Sequence, residues 1–367
     1  MHKEGGMRMS DFFEIDFLAV EAKKSGDAIP IRYSLNGKTR IHVTDGGFQD
    51  TGDTVIEHIK KYYGAPSYID AVVVTHPDGD HAGGLRKLFD EYEIGELWML
   101  RPWLYADELI DRFSRFTSAD NLIKRLKDIY PNLAALEELA EECGVPIREP
   151  FQGALIGQFR VLAPTKSRYL DLIVESEKTP ESTKAEQLSF ARAAGRVVEK
   201  VIAFIRAAWG QETFPADDTS AENNMSVIQY ANLCGKRILL TGDAGRAALE
   251  EAADYAPYVG LTLPGIDRIQ VPHHGSRHNV STEILDRWLG PRLRSQSEGD
   301  ASSFSAIVSS AKVDEDHPRK SVIRAFIHRG GKVITTEGGS KRTGHNAPDR
   351  EGWVPAEAVP YPEDQEE

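Results

Sequence analysis

Residues 73–84 read VVTHPDGDHAGG. An apolar run leads in, His76, Asp78, Asp80 and His81 follow, and Gly83-Gly84 close the stretch. Four ionisable groups crowded at the end of a buried strand repel one another and lose hydration together unless a cation neutralises them. Imidazole suits Zn, Mn and Fe, and carboxylate suits Mn and Mg, so these residue types point to a divalent-ion site. Alternate side chains can turn inward, His76 and Asp78 toward one ion and Asp80 and His81 toward a second. Gly79, Gly83 and Gly84 permit tight turns and close backbone approach.

Working outward, the same arrangement recurs. RIHVT runs into Asp45-Gly46-Gly47, RILLTG into Asp243, RIQVP into His273-His274-Gly275-Ser276, and SAIVSSAK toward Asp316-His317. Each cluster follows a strand-like segment, and ligand sites in α/β proteins gather at the carboxyl ends of strands. The motifs therefore predict one shared rim. Taken singly, each has a plainer reading: Asp45 and Asp243 as turn residues, His317 and Asp316 as a helix start, His58 and His345 as structural or surface groups. The 76–81 string removes that ambiguity by requiring a cation.

The intervening chain reads as mixed α/β. FFEIDFLAVEA and AIPIRYSL alternate like strands around a KKSGD hairpin turn. KTRIHVTDGG reads as a third strand and TVIEHIKKYYG as a helix with Asp53 as N-cap and Gly64 as stop. IDAVVVTH reads as a strand buried on both faces. Residues 85–142 and 168–209 carry helical spacing. MSVIQYA and RILLTG form a hairpin around Leu233-Cys234-Gly235-Lys236; strands at RIQV, SAIVSSAK and KVITTEGG then alternate with helices, Pro318 suiting the first turn of the last. PYPEDQEE reads as a frayed acidic end.

The chain has 367 residues, 40% hydrophobic and 28% charged, with no apolar run long enough to span a bilayer; the opening MHKEGGMRMSDFF has no apolar stretch of the secretory-signal kind, and Met7 reads as a plausible initiator. Cys143 and Cys234 are too few for a disulfide framework, read as core residues and fit a reducing cytoplasm. The net charge of −13 gives no long-range attraction to nucleic acid. A phosphodiester substrate then needs bound cations and local basic groups, for which Arg277, Arg319, Lys320, Lys341 and Arg342 are candidates.

THPDGDHAGG resembles the HxHxDH signature of the metallo-β-lactamase fold, most closely the version in ComEC-type competence nuclease domains. The likeness continues in order through Asp45-Gly-Gly, Asn223-Asn224-Met225-Ser226-Val227, LLTGD with Asp243, VPHHGS, and His317-Pro318. It implies a four-layer αββα sandwich over residues 11–340, with helical insertions at about 101–142 and 166–215 and a C-terminal extension at 341–367. It also implies a metal-dependent hydrolase, in this branch a phosphodiesterase or nuclease using Zn or Mn as one or two ions. By that pattern His76, Asp78, Asp80, His81, Asp243 and His274 hold metal. Asp80 doubles as base, His273 donates a proton to the leaving group, with its role and that of His274 exchangeable, and His317 is a ligand or a substrate contact. Asp45, Ser276 and Asn224 support those groups from behind.

The chain departs from the signature where Asp78 replaces its second histidine, which favours harder ions such as Mn. It also has no histidine between His81 and His273. ComEC proteins carry membrane channels and this sequence shows none, so a role in DNA uptake does not carry over. Two other readings remain open: a hydrolase of a lactone, thioester or cyclic nucleotide, and a non-catalytic binding protein on the same fold.

Overall fold

A computed structural model describes residues 10–114, 116–179, 204–297 and 302–366. The first strands follow from strict alternation. In β1 (Phe12–Phe17) and β2 (Ala28–Leu35), Phe13, Ile15, Phe17, Ile29, Ile31 and Tyr33 all point to one face. There they meet Phe159, Leu233, Ile238, Leu240 and Ile307 of a second sheet, forming the apolar layer between the two. Truncating a fully buried residue of this layer, such as Phe13, costs ~3–5 kcal/mol.

The first sheet adds β3 (Lys38–Gly46), β4 (Tyr68–Val73), β5 (Glu93–Trp98) and β6 (Ile147–Arg148). The second comprises β7 (Leu155–Ile156), β8 (Phe159–Ala163), β10 (Ile228–Leu233), β11 (Lys236–Leu240), β12 (Arg268–Gln270), β13 (Phe304–Val308) and β14 (Gly331–Thr335), with β9 (Phe204–Arg206) lying outside it. The orders are β15-β1-β2-β3-β4-β5-β6, where β15 is Lys341–His345, and β14-β13-β12-β11-β10-β8-β7. Within them β3 to β6 and β11 to β14 run parallel. Their carboxyl ends supply the loops that carry the predicted motifs.

Helices cover both outer faces. Against the first sheet pack α1 (Thr51–Tyr62), the short α2 (Gly79–Ala82), α3 (Arg86–Glu91), α4 (Ala106–Leu109), α5 (Ala119–Ile129), α6 (Pro131–Glu142) and α7 (Lys166–Glu175). After α8 (Ala221–Asn224), the second sheet is covered by α9 (Arg246–Tyr255), α10 (Thr282–Leu289) and α11 (Lys320–His328). The four-layer α/β sandwich expected from the sequence is the observed architecture. Among the described residues no helix is long and apolar enough to cross a membrane.

Several local expectations are corrected. β1 ends at Phe17, and residues 18–27 form a loop longer than a KKSGD turn, tied back through the Leu18 N–H to the Ala28 carbonyl at 3.0 Å. Helix α1 begins at Thr51, so Asp53 lies in its first turn rather than at the N-cap. Pro318 precedes α11, which starts at Lys320. The helical reading of 168–209 holds for α7; residues 180–203 lie outside the described residues, and Phe204–Arg206 is a strand. That strand pairs antiparallel with β16 (Asp364–Glu366), so the acidic end is docked rather than frayed: Glu366 accepts the Lys320 and Ser321 N–H groups at the start of α11. β15, beyond the expected boundary at 340, completes the first sheet beside β1. Cys143 ends α6 and is exposed rather than in the core, whereas Cys234, at the tip of the β10–β11 hairpin at φ 50, is half-buried and packs against the edge of the apolar layer between the sheets.

Candidate metal centre

The loops after β3, β4, β11, β12 and β13 meet at one edge of the sandwich. Asp243, which follows β11, is buried and central. Its Oδ1 lies 3.2 Å from His81 Nε2 and 3.8 Å from His274 Nε2. Its Oδ2 lies 3.5 Å from His273 Nε2 and 3.7 Å from His76 Nε2. Asp80 Oδ2 stands 3.7 Å from His274 Nε2 on the first side. The carboxylate of Asp243 thus faces two groups of imidazoles, one on each oxygen.

Every one of these imidazoles is held at its other nitrogen. His76 Nδ1 is 3.0 Å from the Thr75 hydroxyl. His81 Nδ1 meets Asp45 Oδ2 at 2.8 Å, His274 Nδ1 meets the Ser309 carbonyl at 2.9 Å, and His273 Nδ1 meets Asn279 Oδ1 at 3.0 Å. Fixing Nδ1 sets the ring orientation and, at His76, His81 and His274, leaves Nε2 as the inward lone pair, the arrangement that orients histidine toward a metal; His273 Nδ1 faces the Asn223 amide nitrogen as well, also at 3.0 Å. Asp45 reaches its position by a left-handed backbone (φ 55) and also accepts the Thr75 N–H and hydroxyl at 2.9 and 2.6 Å. At His273 and His274 the backbone is left-handed as well, with φ 47 and 52, which turns successive rings toward one centre.

The inward atoms are short of partners. His76 Nε2, His81 Nε2, His274 Nε2, Asp243 Oδ1 and Asp27 Oδ1 are buried without a hydrogen bond. Orphaned buried polar atoms cost free energy, and so many converging ones call for an ion. Burial alone pushes imidazoles down, yet at His81 the charges of Asp243 and Asp45 outweigh it and hold the ring well above its usual value. His274 is likewise raised to about 9, burial being overcome by Asp243, Asp80 and Asp27. Asp243 is held well below the carboxylate range against its own burial by His81, His273 and His274. The pocket demands positive charge, and a divalent cation fits that demand and the donor set.

Asp27 was not foreseen. It precedes β2 rather than ending a strand, but β2 runs antiparallel to β3, so its start lies at the site edge. One ligand atom from each of Asp27, His81, Asp243 and His274 falls within 4.8 Å of the others. Asp27 Oδ2 accepts from Gln270 at 2.9 Å, and burial raises its pKa. Sequence offers one signal, an acid flanked by buried strand starts, and that signal is too common to act on.

Other predicted residues are distributed around the centre. Asp78 does not join the Asp243 group; its carboxylate pairs with Lys178. His317 stacks on His273 with ring centres 5.3 Å apart, meets Asp314 Oδ2 at 3.3 Å, and is lowered to about 4 by burial and by His273 and His274. Asn224 accepts the Ala248 N–H and donates to Asp218, bracing α9, whereas its neighbour Asn223 reaches His273 Nδ1 at 3.0 Å. Ser276 Oγ accepts from the His278 N–H at 3.4 Å. A cleft of about 400 Å³ opens above, lined by Lys24, Phe48, Asp78, Lys178, Asn223 and His317 among others. Of the basic candidates, Lys341 and Arg342 lie on β15, where Arg342 pairs with Glu14, and Arg319 pairs with Asp316.

Residues 36–140, from the turn before β3 into α6, match the family model described as Metallo-beta-lactamase superfamily. No curated protein matches the chain. Similar solved structures include the metallo-β-lactamase SMB-1 bound to 2-mercaptoethanesulfonate, at 10% identity over 72% of this chain and 80% of that one, TM-score 0.30. The metallo-β-lactamase MIM-1 from Novosphingobium pentaromativorans is 12% identical over 74% and 78%, TM-score 0.30. A diphosphatase from the PhnP family is 10% identical over 90% and 98%, TM-score 0.33. Two face-to-face sheets between helical layers, with the family match running from β3 into α6, are consistent with the metallo-β-lactamase fold.

Proposed function

We propose that this chain is a metal-dependent hydrolase of phosphodiesters, a nuclease or phosphodiesterase of the ComEC-like kind, acting in the cytoplasm. The carrying observation is the convergence of buried, unpartnered Nε2 and Oδ1 atoms on Asp243. Asp80, His81, His274 and Asp243 Oδ1 are the residues that would hold a first Zn or Mn ion, and His76 with Asp243 Oδ2 offers a second, weaker position. When bound, such an ion supplies Lewis acidity and neutralises charge at a phosphoryl group.

The chain's own residues do the rest. Asp45 fixes the tautomer of His81, and Ser309 fixes that of His274. Asp80 is held below the carboxylate range because burial is outweighed by His274 and His81, so it stays ionised and suited to facing a cation. His273, at 25% side-chain exposure, faces the cleft as the proton donor to the leaving oxygen. His317, neutral at pH 7 by its lowered pKa, contacts substrate as a hydrogen-bonding group. The two free cysteines are in keeping with a reducing compartment.

A cleft of about 400 Å³ also suits a small ligand, which favours a lactone, thioester or cyclic nucleotide as the second reading. Incubating Mn-loaded protein with plasmid, single-stranded DNA and RNA separates the two. Cleavage that is abolished by chelator and by Asp243→Asn supports the first reading; turnover of a lactone or thioester with no diester cleaved supports the second.

A further inference from the structure

The cleft over the metal centre contains two lysines that the ligand set does not use. Lys178 follows α7, and its ammonium pairs with Asp78 across a separation of 100 residues. Lys24 lies in the loop before β2 and has no hydrogen-bond or ion-pair partner among the described residues.

Both are mounted on the frame that orients the site histidines. The Lys178 N–H donates to Ser176 Oγ at 3.0 Å, and the Thr179 hydroxyl donates to the Ser176 carbonyl at 2.8 Å. Ser176 Oγ in turn donates to buried Glu222, which the Tyr130 hydroxyl reaches at 3.2 Å. Glu222 adjoins Asn223, the residue against His273. On the other mounting, Ser25 next to Lys24 donates its N–H and hydroxyl to Asp314 Oδ2 at 2.9 and 2.7 Å. The same oxygen faces His317. Each lysine is therefore carried into the cleft by a segment whose backbone is fixed by side-chain hydrogen bonds, while the ammonium remains available.

Charge explains why such groups are needed. The chain carries −13, and Asp27, Asp45, Asp80, Asp243 and Asp314 all surround the centre, so an anionic substrate is repelled until it meets local cations. The Lys178 and Asp78 side chains are 44% and 31% exposed. An exposed pair of that kind shifts an equilibrium by at most about fivefold. A phosphoryl oxygen offers the ammonium a charge-assisted bond that readily replaces it. Asp78 makes no side-chain bond at the start of α2, so nothing else in that helix turn holds its carboxylate.

We propose that Lys178 and Lys24 are the anion-binding residues of this cleft, Lys178 passing from Asp78 to a phosphoryl oxygen of the substrate. This rests on the phosphodiester reading and narrows the substrate to one that carries negative charge beside the scissile bond, which excludes neutral lactones. The test is calorimetric titration of the metal-loaded full chain with inorganic phosphate, which needs no turnover. Lys178→Met and Lys24→Met are each expected to weaken phosphate binding about fivefold or more, with bound metal unchanged by elemental analysis. Lys178→Arg retains binding, and Asp78→Asn tightens it by up to about fivefold. Phosphate affinity indifferent to both lysines, no phosphate binding by the wild type, or metal loss accompanying the Lys178→Met effect would each overturn the proposal. Failure of the hydrolase reading shows differently, as a wild-type chain that takes up no metal or cleaves no diester.

Discussion

Replacing Asp45 by asparagine tests how far the metal centre depends on a residue that does not enter it. The substitution preserves shape, and asparagine tolerates the left-handed backbone at this position. The carboxylate accepts from three donors: the Thr75 N–H, the Thr75 hydroxyl and His81 Nδ1–H. An amide has one acceptor oxygen, so its NH2 must face at least one of those donors. With the amide oxygen on the Thr75 N–H, the NH2 can donate to the Thr75 hydroxyl oxygen, which leaves His81 as the group that loses its acceptor. Its alternative is to move the proton to Nε2, removing the lone pair that points at Asp243. A buried donor left without its partner costs ~1–3 kcal/mol. At 1.4 kcal/mol per decade this is about 5- to 150-fold, overlapping the 10–100-fold loss typical when a partner behind a metal-binding histidine is removed. Competition with a chromogenic chelator at pH 7.5 measures it directly, and urea unfolding of the metal-free forms shows whether the change is local. Metal affinity in Asp45→Asn within twofold of wild type would refute the reasoning.

Two further outcomes follow from the packing. Glu212 accepts from His328, Arg329 and Thr282 in a buried network that holds its pKa down to about 2 although burial alone would raise it. Its stabilisation is fully present above the unfolded value near 4.5 and is lost as pH falls through 4.5 toward 2, so the stability gap between wild type and Glu212→Gln should narrow by ~3 kcal/mol from pH 7 to pH 2; a gap constant across urea titrations at those pH values counts against it. Gly84 has no room for a side chain, since a Cβ there would stand 2.1 Å from the Gly46 carbonyl, whereas at Gly79 the nearest atom is 3.6 Å away. Gly84→Ala is expected to lower the urea midpoint by an amount equivalent to ~1–3 kcal/mol or more, and Gly79→Ala to stay within ~0.5 kcal/mol.

What the sequence discloses and what it hides divides along a physical line. Strand ends followed by ionisable residues were legible because crowded charge at a buried position has few explanations, and those loops do meet around Asp243. Asp27 escaped because its place in the site comes from antiparallel pairing of β2 with β3, a register that no local pattern encodes. The partner of Asp78 escaped for a related reason: Lys178 reaches it from the turn after α7, and the helical spacing of residues 168–209 tells neither where that helix ends nor what the next turn faces. The acidic end read as frayed because composition reports solvation, and its docking on Phe204–Arg206 and the start of α11 depends on backbone pairing between distant segments. Cys143 shows the limit of residue-type statistics, since a helix end exposes whatever stands there.

The central claim is that a divalent ion sits against Asp243. Crystals of the protein grown with Mn²⁺, with diffraction recorded on either side of the manganese edge, test it most directly. An anomalous peak bounded by His81 Nε2, His274 Nε2, Asp80 and Asp243 Oδ1 is the predicted result. Manganese-loaded crystals with no anomalous density inside that ring, and with those imidazoles hydrogen-bonded to one another or to water, would contradict it.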